Sequence, residues 1–462
     1  MNEISSKSAV DQLALLQSGE ISAVELVNSN IRAIEKYNPV INALVTLDYE
    51  GSLSKALDVD QRRAKGKKLG PLAGLTVAVK DLFDTAGMRT TYGSRIFEHH
   101  VPSADHEHVK RLREADAIIL GKSNTPEFAF GGQTENLIFG KTRNPWRFNK
   151  SPTGSSGGAA AALAAGMVSL ADGSDFGGSV RTPASITNTV GFRPTSGLVP
   201  MYPNMMPYAY FNTAGPMARS VSDAALMMKV MSGGLVDDND LNADFKKIRV
   251  AWNLPPFDYT LSVEVREVLD PHKDLFDHLC CYVSPEEPAI EKISQCHDFI
   301  NYFCVQALTN SFTSDEQALL GSTMKTRGQP AQNYGAQDFL KNAAEIGVIW
   351  RTMEKFFQKH DLLVWPVMQS STFDIDQEEG SINHDWRAMC LAPIANLPAI
   401  SVPAGFSQDG MPVGLQIMAK PGNDQLVLQA AYAFEQSLGS HFTPPPLDRE
   451  LKLHLMPGRL ED

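Results

Sequence analysis

Two short glycine-rich segments each carry a serine that could act as a nucleophile. Residues 153–158 read TGSSGG and residues 173–179 read GSDFGGS, which places Ser155 and Ser179 among closely spaced glycines. Glycine lets successive backbone amides turn toward a ligand, and such a nest stabilises a developing negative charge. The pattern indicates nucleophilic attack with charge stabilisation. On glycine content alone, however, flexible surface loops or a phosphate cradle are the commoner interpretation.

A lysine at the end of an apolar segment is a second candidate for chemistry. Residues 75–81 read LTVAVKD, which predicts a buried strand that ends at or near Lys80. A lysine in this position commonly extends its ammonium group to the surface. If it is desolvated instead, its pKa falls and the neutral amine can act as a general base. The residue types alone leave both interpretations open.

Three other kinds of site are less well supported by the residue spacing. Four histidines lie close together: His99, His100, His106 and His108. They lack the cysteines or the HExxH-type carboxylate spacing of a metal site, so we expect surface histidines and no metal. Residues 177–181 read GGSVR and lack the second glycine of the GxSxG nucleophile elbow, while TGSSGG lacks the lysine of a Walker loop. A histidine-dependent serine hydrolase and a nucleotide-binding loop are therefore not favoured.

The elements that would position the lysine and the serines alternate between strand and helix. Helices are predicted at residues 107–115 and 159–165, and strands at residues 75–80, 117–121 and 167–171. This alternation is typical of a largely parallel sheet with helices packed against it. The TGSSGG segment precedes the second helix, and the GSDFGGS segment follows the last of these strands.

The regions on either side carry fewer candidate residues. A capping box of Ser22 and Glu25 predicts a helix near the N-terminus. Residues 235–366 are more acidic and more helical, and we interpret them as an insertion that covers the sheet and shapes a pocket. Residues 396–406 and 410–419 predict two strands that pair with each other.

Composition narrows the class of protein. The chain has 462 residues, 43% of them hydrophobic, and a formal net charge of −12. This acidity argues against nucleic-acid or anionic-membrane binding, and no apolar run approaches the length that spans a bilayer. The five cysteines, without a CxxC pair, favour reduced thiols, and no secretory signal is apparent. We expect a cytoplasmic protein that binds neither nucleic acid nor membranes.

Several long motifs, taken together and in order, resemble the amidase signature family of serine amidohydrolases. The matching segments are PLAGLTVAVKD, GKSNTPEFA, TRNPW, TGSSGGAAAALAAG, GSDFGGSVRTPAS, VGFRPTSG, NLPAISVPAGF and GMPVGLQIMA. The resemblance extends from about residue 11 to residue 439. Because the motifs are long and ordered, the match is much more specific than either serine segment alone.

The resemblance implies a fold. It predicts a single α/β domain over residues 1–462, with a mixed and mostly parallel central sheet wrapped by helices. Four regions of this domain are expected: N-terminal helices at residues 1–70, the catalytic core at 71–220, the helical insertion at 235–366, and C-terminal core strands and a helix at 390–439.

The resemblance also implies which residues react. The family's base falls on Lys80, its bridging serine on Ser155 and its acyl-forming nucleophile on Ser179. In the family the bridging serine follows a cis peptide, which here is Gly154–Ser155. Serine needs a neighbouring base to become a good nucleophile, and a neutral lysine acting through a second serine would provide one.

Two further sets of residues follow from the same resemblance. The backbone amides of Phe176, Gly177, Gly178 and Ser179 are expected to form an oxyanion hole. Phe128, Ala129 and Phe130 are expected to bind the substrate at the acyl site, where they suggest an apolar or aromatic acyl group.

The reaction implied is hydrolysis of a small-molecule carboxylic amide to an acid and ammonia or an amine. It would need no metal or organic cofactor, and a homodimer is a family-level expectation. One alternative is the catalytic subunit of a tRNA-dependent amidotransferase, which shares these motifs, takes ammonia from glutamine and needs partner subunits. A second alternative, a non-catalytic binding protein, is disfavoured because Lys80, Ser155 and Ser179 are all present.

Overall fold

A computed structural model of the chain describes residues 3–203, 209–254, 260–279, 282–378, 387–439 and 442–455. Its strands are β1 Leu44–Leu47, β2 Thr76–Lys80, β3 Ile118–Ser123, β4 Glu135–Asn136, β5 Gly140–Lys141, β6 Leu170–Asp175, β7 Val190–Arg193, β8 Thr213–Ala218, β9 Arg249–Trp252, β10 Tyr282–Ser284, β11 Leu362–Pro366, β12 Ala399–Phe406 and β13 Pro412–Ala419. Its α-helices are α1 Glu3–Ser6, α2 Ala9–Ser18, α3 Ala23–Ile41, α4 Tyr49–Ala64, α5 Glu107–Glu114, α6 Gly157–Ala164, α7 Arg181–Thr187, α8 Val221–Met231, α9 Val263–Leu269, α10 Lys273–His278, α11 Ile293–Asn310, α12 Ser314–Leu319, α13 Ser322–Arg327, α14 Ala336–Phe356, α15 Arg387–Ile394, α16 Asp424–Ser437 and α17 Leu447–Leu455.

Within the described residues, the centre of the fold is an 11-stranded mixed sheet in the order β1-β3-β2-β6-β8-β7-β12-β13-β11-β9-β10. Strand β2 pairs parallel with β3 and β6, and β9 pairs parallel with β10 and β11. The strands between these two blocks, and the edge strand β1, pair antiparallel. The predicted α/β domain with a mixed sheet and packed helices is confirmed. Among the described strands, the expected parallel pairing is concentrated in the two blocks.

The elements that carry the candidate residues are buried on all sides. Every residue of β2 and of β6 is buried, as is every residue of α6, whose sequence GGAAAALA allows close packing against the sheet. Because β2 lies between β3 and β6, its last residue, Lys80, ends inside the protein. The order of the strands in the sheet therefore determines which polar groups meet at the end of β2.

Several predicted elements are confirmed, and others are shifted. The Ser22–Glu25 capping box opens α3, and β12 pairs with β13 as expected. The strand predicted to end at residue 171 instead continues as β6 to Asp175, so only the second half of GSDFGGS is a turn. Gly173 and its neighbours are extended because β6 pairs with β8 along this stretch.

The region 235–366 contributes strands as well as helices. Strands β9, β10 and β11 form one end of the central sheet, and α11 faces the candidate site. None of the described helices combines the length and apolar character needed to cross a membrane. Cys296, Cys304 and Cys390 are buried, while Cys280 and Cys281 lie outside the described residues.

Candidate active site

Lys80 is the buried centre of the candidate site. Its side chain is 0% exposed, and its Nζ donates hydrogen bonds to the hydroxyl oxygens of three serines. The Nζ–Oγ distances are 2.7 Å to Ser155, 2.9 Å to Ser156 and 2.9 Å to Ser174. The interpretation of Lys80 as a surface lysine is therefore excluded, because its amine is enclosed by hydroxyl groups.

Burial changes the acid–base behaviour of this lysine. Desolvation lowers the pKa of Lys80 to about 7, although the nearby carboxylates of Asp172 and Asp175 act to raise it. A substantial fraction of the amine is then neutral close to neutral pH. A neutral amine next to a serine hydroxyl can accept its proton, which an ammonium group cannot do.

The segment with Ser155 is held against the segment with Ser179. The Gly154–Ser155 peptide bond is cis, as the resemblance implies. The backbone N–H of Ser156 donates to the carbonyl of Ser179 at 3.1 Å. The hydroxyl of Thr182 is within 3.2 Å of the carbonyl oxygen of Gly154 and donates to that of Gly178 at 3.0 Å. The two serine segments form one site in the fold.

Ser179 lies in the turn between β6, which ends at Asp175, and α7, which begins at Arg181. It is half-buried, and both Ser155 and Ser179 line the same cavity of about 580 Å³. Among the described residues, no hydrogen bond joins the two hydroxyl groups. Of these two serines, Ser155 is the one bound to Lys80, and Ser179 is the more accessible to a molecule in the cavity.

A buried ion pair braces the turn that carries Ser179. Arg181 donates to both carboxylate oxygens of Asp175, each at 2.9 Å, and Arg193 Nη1 lies 3.7 Å from Oδ1 of the same carboxylate. The Gly178 amide donates to Asp175 Oδ1 at 2.9 Å. Although burial acts to raise the pKa of Asp175, the two arginines hold it well below its usual value.

We expect Arg181→Met to lower the free energy of unfolding by about 3–5 kcal/mol, because it leaves a buried carboxylate with one cation fewer. Lys420→Met is the control, since it breaks a partly exposed ion pair with Glu354 and should change stability by less than about 1 kcal/mol. Chemical denaturation of both variants measures the difference. Equally small losses would show that Arg181 does not brace the turn.

The geometry of the turn requires its glycines. Gly178 has φ 102°, and a Cβ there would lie 2.9 Å from the Met389 side chain. A Cβ at Gly177 would lie 2.9 Å from His297 Nε2. The amides of Phe176, Gly177 and Ser179 have no hydrogen-bond partner among the described residues, whereas the Gly178 amide is bound to Asp175.

The cavity has an aromatic wall and a polar wall. Phe128, Ala129 and Phe130 form part of the first wall, at the short 3₁₀ helix Glu127–Ala129. The second wall comes from α11, which contributes His297 and Asn301, and His297 Nε2 is 3.0 Å from the carbonyl oxygen of Phe176. The cavity therefore offers both apolar and polar contacts to a bound molecule.

Sequence reasoning missed the polar wall. The residues of α11 and its surroundings that line the cavity are Ser294, His297, Asp298, Asn301, Tyr302 and Arg327. A signal was present, because the polar residues Ser294, His297 and Asn301 recur at intervals of three and four residues, which places them on one face of α11. That periodicity indicates a face but does not say what it covers.

The expectation of surface histidines is wrong for two of the four. His99 is exposed and His100 half-buried, but His106 is 2% exposed and His108 is 0% exposed. His108 Nε2 lies 2.7 Å from Asp172 Oδ2, and a buried carboxylate nearby is what makes its burial possible. No cluster of potential metal ligands occurs within the part of the chain that the structure describes.

Comparison with known proteins defines the family. A family model described as Amidase matches residues 25–428. The chain is 34% identical to the glutamyl-tRNA(Gln) amidotransferase A subunit of Carboxydothermus hydrogenoformans, over 94% of this chain and 97% of the relative. It is 33% identical to an acylamidase of Rhodococcus erythropolis, over 93% and 94% of the two chains. Other relatives at 31–35% identity are also amidotransferase A subunits.

A solved structure supports the same family assignment. A bacterial aryl acylamidase of the amidase signature family superposes with a TM-score of 0.86 at 27% identity, over 94% of this chain and 97% of the other. The chain therefore belongs to the amidase signature family, as its motifs indicate. Its relatives include both an acylamidase and amidotransferase A subunits.

Proposed function

We propose that this protein cleaves the C–N bond of a carboxylic amide through an acyl-enzyme on Ser179, with Lys80 as base and Ser155 as the bridging serine. One observation carries the proposal: a fully buried lysine lies 2.7 Å from Ser155 Oγ, beside a cavity that Ser179 also lines. Its lowered pKa makes the neutral form available near neutral pH.

The proposed reaction begins with two proton transfers. Neutral Lys80 takes the proton of the Ser155 hydroxyl while Ser155 takes that of Ser179, whose Oγ bonds to the amide carbon. The carbonyl oxygen becomes negatively charged, and the amides of Phe176, Gly177 and Ser179 are available to donate to it. A contribution from Gly178 would require its hydrogen bond to Asp175 to be released.

The remaining steps transfer the proton to the leaving group and regenerate the free enzyme. The C–N bond breaks as the proton passes back through Ser155 to the departing nitrogen, which leaves as ammonia or an amine. Water then adds to the Ser179 ester by the same route, and the acid is released. No metal or organic cofactor is needed for these steps.

The acyl group is proposed to rest against the aromatic wall. Phe128 is 1% exposed and Phe130 is 4% exposed, so their rings offer a preformed apolar surface. Burial of apolar area would favour an apolar or aromatic acyl group at this wall. The polar wall on α11 is then left for the rest of the substrate.

The second candidate function is the amide-hydrolysing subunit of a tRNA-dependent amidotransferase that takes ammonia from glutamine. The specific observation that favours it is the set of relatives, most of which are amidotransferase A subunits. In that case the chain would act with partner subunits. Both candidates share the same acyl-enzyme step, so the residues above have the same roles in each.

The purified chain, tested alone, separates the two candidates. We expect it to release acid and amine from an aryl or aliphatic acyl amide faster than it releases ammonia from glutamine, because the acyl wall is apolar. Initial rates on a panel of both substrate types measure this. Hydrolysis of glutamine alone, or only after amidotransferase partner subunits are added, would favour the second candidate. No turnover of any amide, with or without those partner subunits, would contradict both.

A further inference from the structure

A chain of buried polar groups runs from α5 through β6 to the backbone of Lys80. The Nδ1 atoms of His106 and His108 are 2.8 Å apart, and one of them donates a hydrogen bond to the other. His108 Nε2 lies 2.7 Å from Asp172 Oδ2, and the Lys80 backbone N–H donates to Asp172 Oδ1 at 2.6 Å. Asp172 and His108 are 0% exposed, so neither interaction is shared with solvent.

The direction of these hydrogen bonds follows from the chemistry of the groups. An ionised carboxylate only accepts, so both His108 Nε2–H and the Lys80 N–H donate to Asp172. The ring of Phe83 contacts both histidines edge to face, with centroid distances of 5.0 and 4.5 Å. The rings are therefore held by packing as well as by hydrogen bonds.

This arrangement differs from a serine–histidine–aspartate triad. In a triad the imidazole lies between the carboxylate and a serine hydroxyl. Here the second nitrogen of His108 faces His106, and among the described residues no serine hydroxyl bonds to it. The histidine and the carboxylate act on Lys80 instead.

We propose that Asp172, oriented by His108, is a positioning residue for Lys80: it holds the lysine backbone through one oxygen and so places a buried carboxylate at the end of β2. This inference rests on the proposed function for its role in catalysis, but not for its effect on Lys80. The hydrogen bonds place the carboxylate at the lysine whether or not an amide is the substrate.

The charged groups around Lys80 make Asp172 the one to test. The carboxylates that act on the lysine are Asp172 and Asp175. Asp175 is already paired with Arg181 and Arg193, and its loss would also collapse the turn. Asp172 makes hydrogen bonds with His108 and with the Lys80 backbone. The charge of Asp172 also acts on Lys122 of β3.

Asp172→Asn changes the charge and keeps the shape. The amide oxygen can still accept the Lys80 N–H, and the amide nitrogen can donate to His108 once that ring presents an unprotonated Nε2. A negative charge beside an ammonium group raises its pKa, so removing the charge lowers the pKa of Lys80 further. The shift expected is about one pH unit toward lower pH.

A direct titration of the lysine tests this proposal. The protein is prepared with lysine carrying ¹³C at Cε, and the Lys80 signal is identified by its absence from Lys80→Met. The midpoint of the Lys80 titration should fall by about one pH unit in Asp172→Asn. Asp223→Asn is the matched control, because Asp223 is an equally buried carboxylate on α8, and it should leave the midpoint unchanged. An unchanged midpoint in folded Asp172→Asn would overturn the proposal.

A second pair of variants covers the case in which Asp172→Asn does not fold. His108→Leu removes the donor that orients Asp172, so the carboxylate is no longer held at the lysine and the Lys80 midpoint should again fall. His108→Gln keeps a donor near the position of Nε2 and should restore the midpoint of the wild type. Equal midpoints in His108→Leu and the wild type would also overturn the proposal.

The pH dependence of activity separates this inference from the proposed function. If the wild type hydrolyses an amide, the acid limb of kcat/KM should move in Asp172→Asn by the same amount as the NMR midpoint. If the wild type hydrolyses no amide, the proposed function fails, while the NMR midpoint still decides whether Asp172 acts on Lys80. A moved midpoint with an unmoved acid limb would show that Lys80 is not the base.

Discussion

Ser179→Ala is expected to reduce amide turnover by about 10⁴-fold or more while leaving the fold unchanged. The acyl-enzyme cannot form without the Ser179 oxygen, so the whole covalent route is lost. The serine is half-buried, and among the described residues its hydroxyl makes no hydrogen bond to Ser155. Its removal therefore breaks no such bond and should not destabilise the fold. Initial rates with the best substrate of the amide panel, together with thermal melting, measure both effects.

The matched control for this prediction is Ser401→Ala. Ser401 is a fully buried serine of β12, outside the cavity, whose Oγ has no partner among the described residues. Its removal should change the rate less than about tenfold, since it touches neither Lys80 nor the two site serines. Retention of the wild-type rate by Ser179→Ala would exclude Ser179 as the nucleophile.

Lys80→Met is expected to lower kcat/KM at neutral pH by about 10²–10⁴-fold, the contribution of a positioned general base. Methionine fills a similar volume and removes the amine, so Ser155 loses its proton acceptor and the three neighbouring serines lose their hydrogen bonds from Nζ. The rate constant should be measured from about pH 5 to pH 9, because the expected loss depends on pH.

The sign of that pH dependence follows from the pKa of Lys80. The base must be neutral, so wild-type activity should rise with pH through about 7, where Lys80 loses its proton. In Lys80→Met this acid limb should disappear, because the group that titrates is gone. A wild-type profile that is flat between about pH 5 and pH 9 would contradict a neutral Lys80 as base.

Lys122 offers a matched control on the neighbouring strand. It is also fully buried, at β3, but its Nζ bonds to the hydroxyl of Thr85 at 2.7 Å and to the carbonyl of Phe83. Burial lowers the pKa of Lys122 to about 8, mainly by desolvation. Lys122→Met should cost stability but keep the acid limb near that of the wild type. Equal loss of the limb in both variants would remove the special role of Lys80.

Much of the fold was predictable because the signals were local. An apolar β-branched run defined β2 and placed Lys80 at its end, and a capping box defined the start of α3. The alanine-rich helix α6 was visible from composition alone. What the residue pattern could not give was the burial of Lys80, since that depends on β3 and β6 lying on either side of β2.

The histidines show how tertiary contacts override a local pattern. His106 and His108 lie at the start of a short helix among charged residues, which is typical of an exposed surface. They are buried because Asp172 comes from β6, far along the chain, to meet His108. The residue pattern did not single out Asp172, because the glycine after it suggested that the strand had already ended.

The polar wall of the cavity was missed for a similar reason. His297 and Asn301 are separated by one helical turn, but no motif marks them as part of a site. Their position depends on α11 packing across the turn that carries Ser179, a contact between distant parts of the chain. A residue pattern reports which helix face is polar, and only the assembled fold reports what that face touches.

The most direct test of the account is to trap the acyl-enzyme and locate it by mass spectrometry. The chain is mixed with an aryl or aliphatic acyl amide, quenched in acid and digested. We expect a mass increase equal to the acyl group on the peptide that contains Ser179, and none on that peptide in Ser179→Ala. An acyl group on Ser155 or another residue, or product formation with no acylated peptide, would contradict it.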